Sequence, residues 1–477
     1  MNKSYLRKAL LLLTLPIYTF GQCNDPNITL VNQAEVDSFS TDYSGCTELV
    51  GNLTINGSDI TSLEALENIT SVGGNLFITN TSLTAINQLI NLETVSGYFK
   101  ITNNEQLTDI TLDSGNINDL YVRLNTNLEN IKANNLETAN EIDIYGNASL
   151  ETINLFALET IHNLKIGNND NLETVTFFSL ESSDNFIQIY QNDVLTAANF
   201  PSLTTADNFN VYNNDELILL NISSLETVND FSFDINESML SLDLNSITSS
   251  PVITIEGNPS LVEIKGENLT TFNRIAIESN DELKNITFNN VTATGPIKVE
   301  GNLKLEKIEF NALTQIQEYP NYIPLDLHIK NNNNLKDILF PSLNTVEKIR
   351  IEDNPSLTSC SIDCSIFENL TDNGIENDLF FQNNNISISD LCSQIGIDEQ
   401  VFKNLTTVYP NPTTNFVRIK TNNNVDLVRI FDTHGKIVLE TENQKKIDIR
   451  HLDEGIYFMK IYSEGRKKID ACKLMLK

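Results

Sequence analysis

Four histidines are the first residues to weigh for chemistry: His162, His328, His434 and His451. A hydrolytic triad needs a histidine with a nucleophile and a carboxylate, and neither His162, beside the inward Ile161 at a bend, nor His328, expected to point outward between Leu327 and Ile329, has a spacing that points to one. No H-E-x-x-H, G-x-S-x-G or phosphate-cradling glycine loop occurs in the chain. Paired carboxylates meeting across the fold are the remaining route to catalysis, and would make a glycosidase.

Carboxylates do recur. Asp234, Glu256, Glu278 and Glu300 are each 22 residues apart, so they superpose if each period is one turn of chain. Like charges stacked on a sheet repel. A bound Ca²⁺ would offset them, since it takes carboxylate oxygens; the plainer alternative is a solvated acidic stripe screened by salt and by Lys298. Tyr145, Tyr190 and Tyr212 precede the acids at the same phase, with Tyr121 in the adjacent column. They form a candidate platform for a sugar or a peptide, against ordinary strand use of tyrosine. A third candidate surface lies about 318–326, where Tyr319, Pro320, Tyr322 and Pro324 interrupt the period.

The elements that must hold these residues follow from the repeat L-x-I-x-x-N-x-x-L-x-x-I. Its asparagine recurs at Asn104, Asn125, Asn147, Asn169, Asn192, Asn214, Asn236, Asn258, Asn280, Asn302, Asn332 and Asn354. The dominant interval is 22 residues, and two earlier units, centred on Gly57 and Asn80, fit with a one-residue deletion. Pairs such as Leu164 and Ile166 have the period of a strand with one buried face, and no segment sustains a helical apolar face. Each unit therefore reads as one coil of a parallel β-solenoid of about fourteen coils, rising about 4.8 Å per coil. The asparagine is expected to point inward and satisfy backbone groups at a turn. The residues two positions before it then form an outward column that includes Arg123, Tyr145, Gly167, Tyr190, Tyr212 and the four acids.

Charge and cysteines bound the setting. The chain carries −33, with +3 on residues 1–22 and +5 on residues 401–477, leaving −41 on residues 23–400. So acidic a body argues against nucleic-acid and anionic-membrane partners. Residues 1–22 read as a secretory signal, with cleavage near Gly21–Gln22 or Gln22–Cys23. The bulk of Gln22 argues against lipidation of Cys23, and no later stretch is apolar enough to be transmembrane. Oxidising export permits disulfides: Cys23 with Cys46, and Cys392 with Cys360 or Cys364. Cys360-x3-Cys364 has no nearby histidine or second close pair to make a zinc site.

Two resemblances extend this reading. The G-N-L-x-I and L-E-x-I/V-x-G-x-L/F phrases of Cys46–Ile101 resemble the receptor L domain, which implies a right-handed, leucine-rich-repeat-like β-helix that binds proteins or glycans without catalysis. The run here is longer than such a domain. At the C-terminus, alternating apolar strands divided by turns suit a small antiparallel β-sandwich. Val408-Tyr409-Pro410-Asn411-Pro412, Asp432–Val438 with Gly435 and Lys436, and Leu452–Tyr457 with Gly455 and Tyr457 resemble the type A sorting domain of the Bacteroidota type IX secretion system. The basic ending with Lys473 and Lys477 fits it. That resemblance implies the type IX machinery as partner, tail removal, and release or attachment to surface lipopolysaccharide.

The expected organisation is a signal at 1–22, an N-terminal cap at 23–50, the solenoid at 51–358 and a cysteine-bearing cap at 359–397. A linker at 398–407 and the sorting domain at 408–477 follow. The expected function is recognition or adhesion by an exported, non-catalytic protein, against a structural surface-layer component or a carbohydrate-active enzyme.

Overall fold

The computed structural model describes residues 21–23, 25–317, 326–372, 379–394, 406–421, 424–432, 436–463 and 467–477. Residues 1–20 of the expected signal, the interruption with Tyr319 and Tyr322, and Gly435 lie outside the described residues. The chain divides into two compact units, Met1–Ile388 and Ser389–Lys477.

The first unit is a parallel β-solenoid of about 15 turns. Strands one period apart pair in register: Thr205–Tyr212 lies between Ser182–Tyr190 and Thr227–Asp234, with Tyr212 opposite both Tyr190 and Asp234. Alternation decides the faces. Phe209 and Val211 are buried while Asn210 and Tyr212 look outward. Shorter three-residue strands build a second wall, as in Ser241–Asp243, Glu263–Lys265 and Asn285–Thr287. Between the walls aromatic rings stack along the axis, Phe177 on Phe200 at 5.3 Å and Phe310 on Phe340 at 5.1 Å. Each coil alone would leave its apolar face wet, so stacking is what buries the core.

The ladder runs beyond the expected bounds at both ends. Asn27–Leu30 pairs with Asn52–Asn56, and Leu379–Gln382 pairs with Ile349–Glu352. The helix Gln33–Asp42 buries Val36 and Phe39 at the N-terminal end. It starts in a reciprocal cap: Asn32 accepts from the Glu35 N–H, and the Glu35 carboxylate accepts from the Val31 N–H.

Cys23 and Cys46 form the expected disulfide, and Cys364 and Cys392 are each disulfide-bonded. Cys360 corrects the expectation. It is a free buried thiol, because it sits at an inward core position of the second wall opposite Ile338. Burial pushes its pKa up to about 12, so it behaves as a small apolar side chain.

The second unit is the expected antiparallel sandwich. One sheet holds Thr406–Tyr409, Phe416–Thr421 and Lys446–Asp448; the other holds Ile437–Glu442, Leu427–Phe431, Gly455–Ser463 and Lys467–Leu476. Val417, Val428, Ile430, Met459, Ile461 and Leu474 fill its core. The opening motif is bonded to the last strand: the Asn411 amide accepts from the Met475 N–H at 2.9 Å and donates to the Lys473 carbonyl at 2.6 Å.

Candidate binding face

The asparagine ladder positions the outward columns. Just before each ladder residue the chain turns through a left-handed position, such as Asn213 (φ 55°), Ile235 (φ 54°) or Gly257 (φ 67°). The Asn214 N–H donates to Asn236 Oδ1 at 3.2 Å. Its Nδ2 donates to the Ile189 and Tyr212 carbonyls at 3.0 and 3.1 Å. The same bonds recur up the stack, and the ladder asparagines from Asn104 to Asn354 are fully buried. A turn that could not otherwise pair its polar groups is satisfied in every coil, and the residue two before the asparagine is held outward. At the first end one residue shifts. Asn80 takes the left-handed position (φ 51°), and Thr81 takes the inward role, its N–H and hydroxyl both donating to Asn104 Oδ1. At the other end Asn384 extends the ladder, accepting from the Asn354 N–H at 3.1 Å.

Both outward columns have the expected register, including Arg123–Tyr145–Gly167–Tyr190–Tyr212–Asp234–Glu256–Glu278–Glu300. The tyrosines divide into two groups. Tyr190 and Tyr212 stack at 5.1 Å with planes 11° apart, and Tyr145 meets Tyr190 at 6.3 Å across the intervening coil. That second contact is closed by Gly167. A Cβ there would lie 2.4 Å from a Tyr190 ring carbon, so only glycine lets the ring lie down over its rung. Tyr121 belongs elsewhere, edge-on to Tyr98 at 5.6 Å with the Arg123 guanidinium 4.9 Å from its centroid. Burial raises the pKa of three of these tyrosines: Tyr121, with help from Glu141; Tyr190, to about 12; and Tyr212.

Where tyrosine gives way to acid, the face opens into a trough of about 340 Å³. Tyr212 and Asn210 stand at one end and Arg274 at the other, with Asp230 and Val252 on one wall. The floor is low because the middle column holds only Ser232 and Thr254 here. Asp234 does not stand up as a tyrosine would. Ser232 Oγ donates to one carboxylate oxygen, and the Glu256 N–H to the other at 3.1 Å. Burial lifts Asp234 to about 6; these two bonds pull against the shift, and the charges of Glu256 and Asp230 add to it. Burial also raises Asp230, against the pull of Arg274.

Asp234, Glu256, Glu278 and Glu300 share one column, yet successive rungs keep them side by side rather than convergent. Among the described residues no three His, Cys, Asp or Glu side chains group as a metal site requires. Lys298 offsets part of the repulsion, bridging Glu278 at 2.5 Å and Glu300 at 3.2 Å.

Among the described residues, neither His162 nor His328 assembles a triad with these groups. His162 Nδ1 lies 2.6 Å from an Asp184 oxygen. His328, expected to point outward, stands on the outer face yet is only 8% exposed, and desolvation lowers its pKa. His162 and Asp184 belong to a second feature that sequence reasoning missed. It is a polar groove of about 770 Å³ along the strand starts, edged by Ser96, Asn118, Asn140, His162 and Asp184. Its signal was the recurring Leu-Glu-Thr/Ser at Leu136–Thr138, Leu158–Thr160 and Leu180–Ser182, whose hydroxyl residues line it.

Residues 407–475 match the family model of the secretion system C-terminal sorting domain, and residues 45–127 match the receptor L domain. No curated protein matches the chain. Among solved structures, a leucine-rich repeat protein from Bacteroides ovatus ATCC 8483 is similar at 15% identity, covering 60% of this chain and 87% of that one, with a TM-score of 0.28. Listeria monocytogenes InlP is similar at 10% identity, with 92% and 83% covered and a TM-score of 0.12. Likenesses of that size bear no weight for fold or function. Among the described residues no helix is long and apolar enough to cross a membrane. Residues 407–475 are a secretion system C-terminal sorting domain behind a β-solenoid with a receptor L domain match, and the chain is thus an exported protein, secreted or held at the outer-membrane surface.

Proposed function

We propose that the solenoid is a non-catalytic recognition module whose ladder face binds a protein or glycan ligand outside the cell. The observation that carries this is the Tyr145–Tyr190–Tyr212 stack, held in register on the outward column and ending in a trough. Large aromatic surface beside a few polar groups is the usual make-up of a binding site. Receptor L domains are typically binding scaffolds rather than enzymes, and the tail supplies the route to the secretion machinery.

The test is a panel of glycans and surface proteins probed with the full chain, unmutated and with Tyr190→Ala. Specific capture that Tyr190→Ala weakens about tenfold, a loss near 1.4 kcal/mol, is the expected result. Capture of nothing in either class would overturn the reading in favour of a structural surface-layer component. Mass spectrometry of the cell-surface and secreted forms should find a mature chain that ends before the sorting domain.

A further inference from the structure

The tyrosine stack stops at Tyr212 because the next rung carries Asp234, and Asp234 is folded down onto the sheet by Ser232 and the Glu256 N–H. A position one rung beyond Tyr212 is therefore occupied by space instead of a ring. Its surroundings are chemically mixed. Asp230 and Asp234 accept, Arg274 donates, and the Asn210 amide and Thr254 hydroxyl can do both.

We propose that this trough is a subsite for one neutral hexopyranose ring, stacked by its C–H face on Tyr212 and hydrogen-bonded through its hydroxyls to Asp230, Asp234, Asn210 and Arg274. It rests on the recognition reading above and names the ligand class.

Three observations select this guest. A polyol offers donors and acceptors in alternation, as the trough does. A uronic or sialic acid would bring its charge against Asp230 and Asp234 and the acids that follow them, Glu256 and Glu278. A lysine or arginine side chain would suit those carboxylates, but it would have to share the trough with the Arg274 guanidinium and would leave Asn210 and Thr254 unused. The space, about 340 Å³, equals roughly eleven waters at ~30 Å³ each. It spans the rungs from Asn210 to Arg274.

The experiment uses the full chain on an array of neutral hexose-terminated glycans, uronic and sialic acid glycans, and Lys/Arg-rich peptides. The variants are Tyr212→Ala, Asp230→Asn and Thr254→Tyr, the last chosen to fill the trough while favouring strand. Each variant is first checked for an unchanged circular dichroism spectrum. Expected are hits among neutral hexoses, weakened about tenfold or more by Tyr212→Ala and by Thr254→Tyr, and several-fold by Asp230→Asn. Neutral-hexose binding that Tyr190→Ala weakens but Thr254→Tyr and Asp230→Asn leave unchanged would overturn the trough and keep the recognition reading. Hits confined to acidic glycans or to basic peptides would overturn the hexose assignment. Absence of any binding by the unmutated chain on this array would overturn the hexose assignment, and absence of capture on the surface-protein panel as well would overturn the recognition reading with it.

Discussion

Tyr212 and Asn214 are two residues apart at one strand end, yet they belong to opposite regimes. The inward column repeats asparagine from Asn104 to Asn354, while the outward column passes from arginine to tyrosine, glycine, carboxylate and lysine. Inside, no water reaches the turn, so its backbone groups have only the neighbouring coil's amide to pair with, and few side chains supply both a donor and an acceptor at that reach. Outside, water satisfies whatever the neighbours do not, and the residue is open to selection for ligand. Uniformity marks structure here, and variation marks function.

The sharpest way to break that contrast is Asn236→Ala. It removes the acceptor of the Asn214 N–H and the donor to the Val211 carbonyl, in a fully buried site. At about 1–3 kcal/mol for each orphaned group, the loss should be about 3–5 kcal/mol in urea denaturation, whereas Tyr212→Ala should cost about 1 kcal/mol. Equal losses for the two would end the inside–outside distinction.

Gly167→Val tests the outward side next. Its added carbons collide with the Tyr190 ring, so the near-ultraviolet tyrosine circular dichroism should change and stability should fall by about 1–2 kcal/mol. An intact signal would mean that the stack does not depend on the missing side chain.

A smaller effect, of opposite sign, is expected at the turn between the two columns. Ile235 holds φ 54°, a left-handed conformation that costs a β-branched residue about 1–2 kcal/mol. Asparagine already serves this position at Asn213, and Ile235→Asn should raise stability by about 1 kcal/mol; a loss would show that the exposed isoleucine packs on its neighbours.

Asp234→Asn gives the smallest change and the one that depends on pH. The folded-state pKa, about 6, lies above the ordinary carboxylate value of 3.8. Its contribution to stability is therefore fully present below pH 4 and is lost as pH rises through 6. With the shift discounted for partial exposure, the variant should be more stable than the parent by under about 1 kcal/mol at pH 7 and equal to it near pH 4. Urea midpoints at the two pH values measure this, and a difference that persists at pH 4 would point to packing instead of charge.

Much of the fold was legible because a parallel ladder couples register to period: once Asn214 and Asn236 are 22 residues apart, Tyr212 must sit opposite Asp234. The same arithmetic failed wherever the local chain departs from the mean unit. The one-residue deletion at Asn80 was legible, but that Thr81 would take the inward role through its N–H and hydroxyl was not. Cys360 looked like a disulfide partner by its neighbourhood, yet its phase in the repeat aims it into the core. His328 was expected outward and does stand on the outer face, but burial depends on how its neighbours cover it, which alternation does not encode.

Residue types and their period thus determined the coil, the inward asparagines, the identity of every outward column and the exporting tail, because each follows from local pattern and a fixed spacing. The tertiary structure alone decided how the outward side chains lie. Tyr190 rests on the bare rung of Gly167, Tyr121 turns to Tyr98, and Asp234 bends down to Ser232 and the Glu256 N–H. Those are contacts between coils, set by side-chain torsions that the period leaves open, and the trough beside Tyr212 exists only as their result.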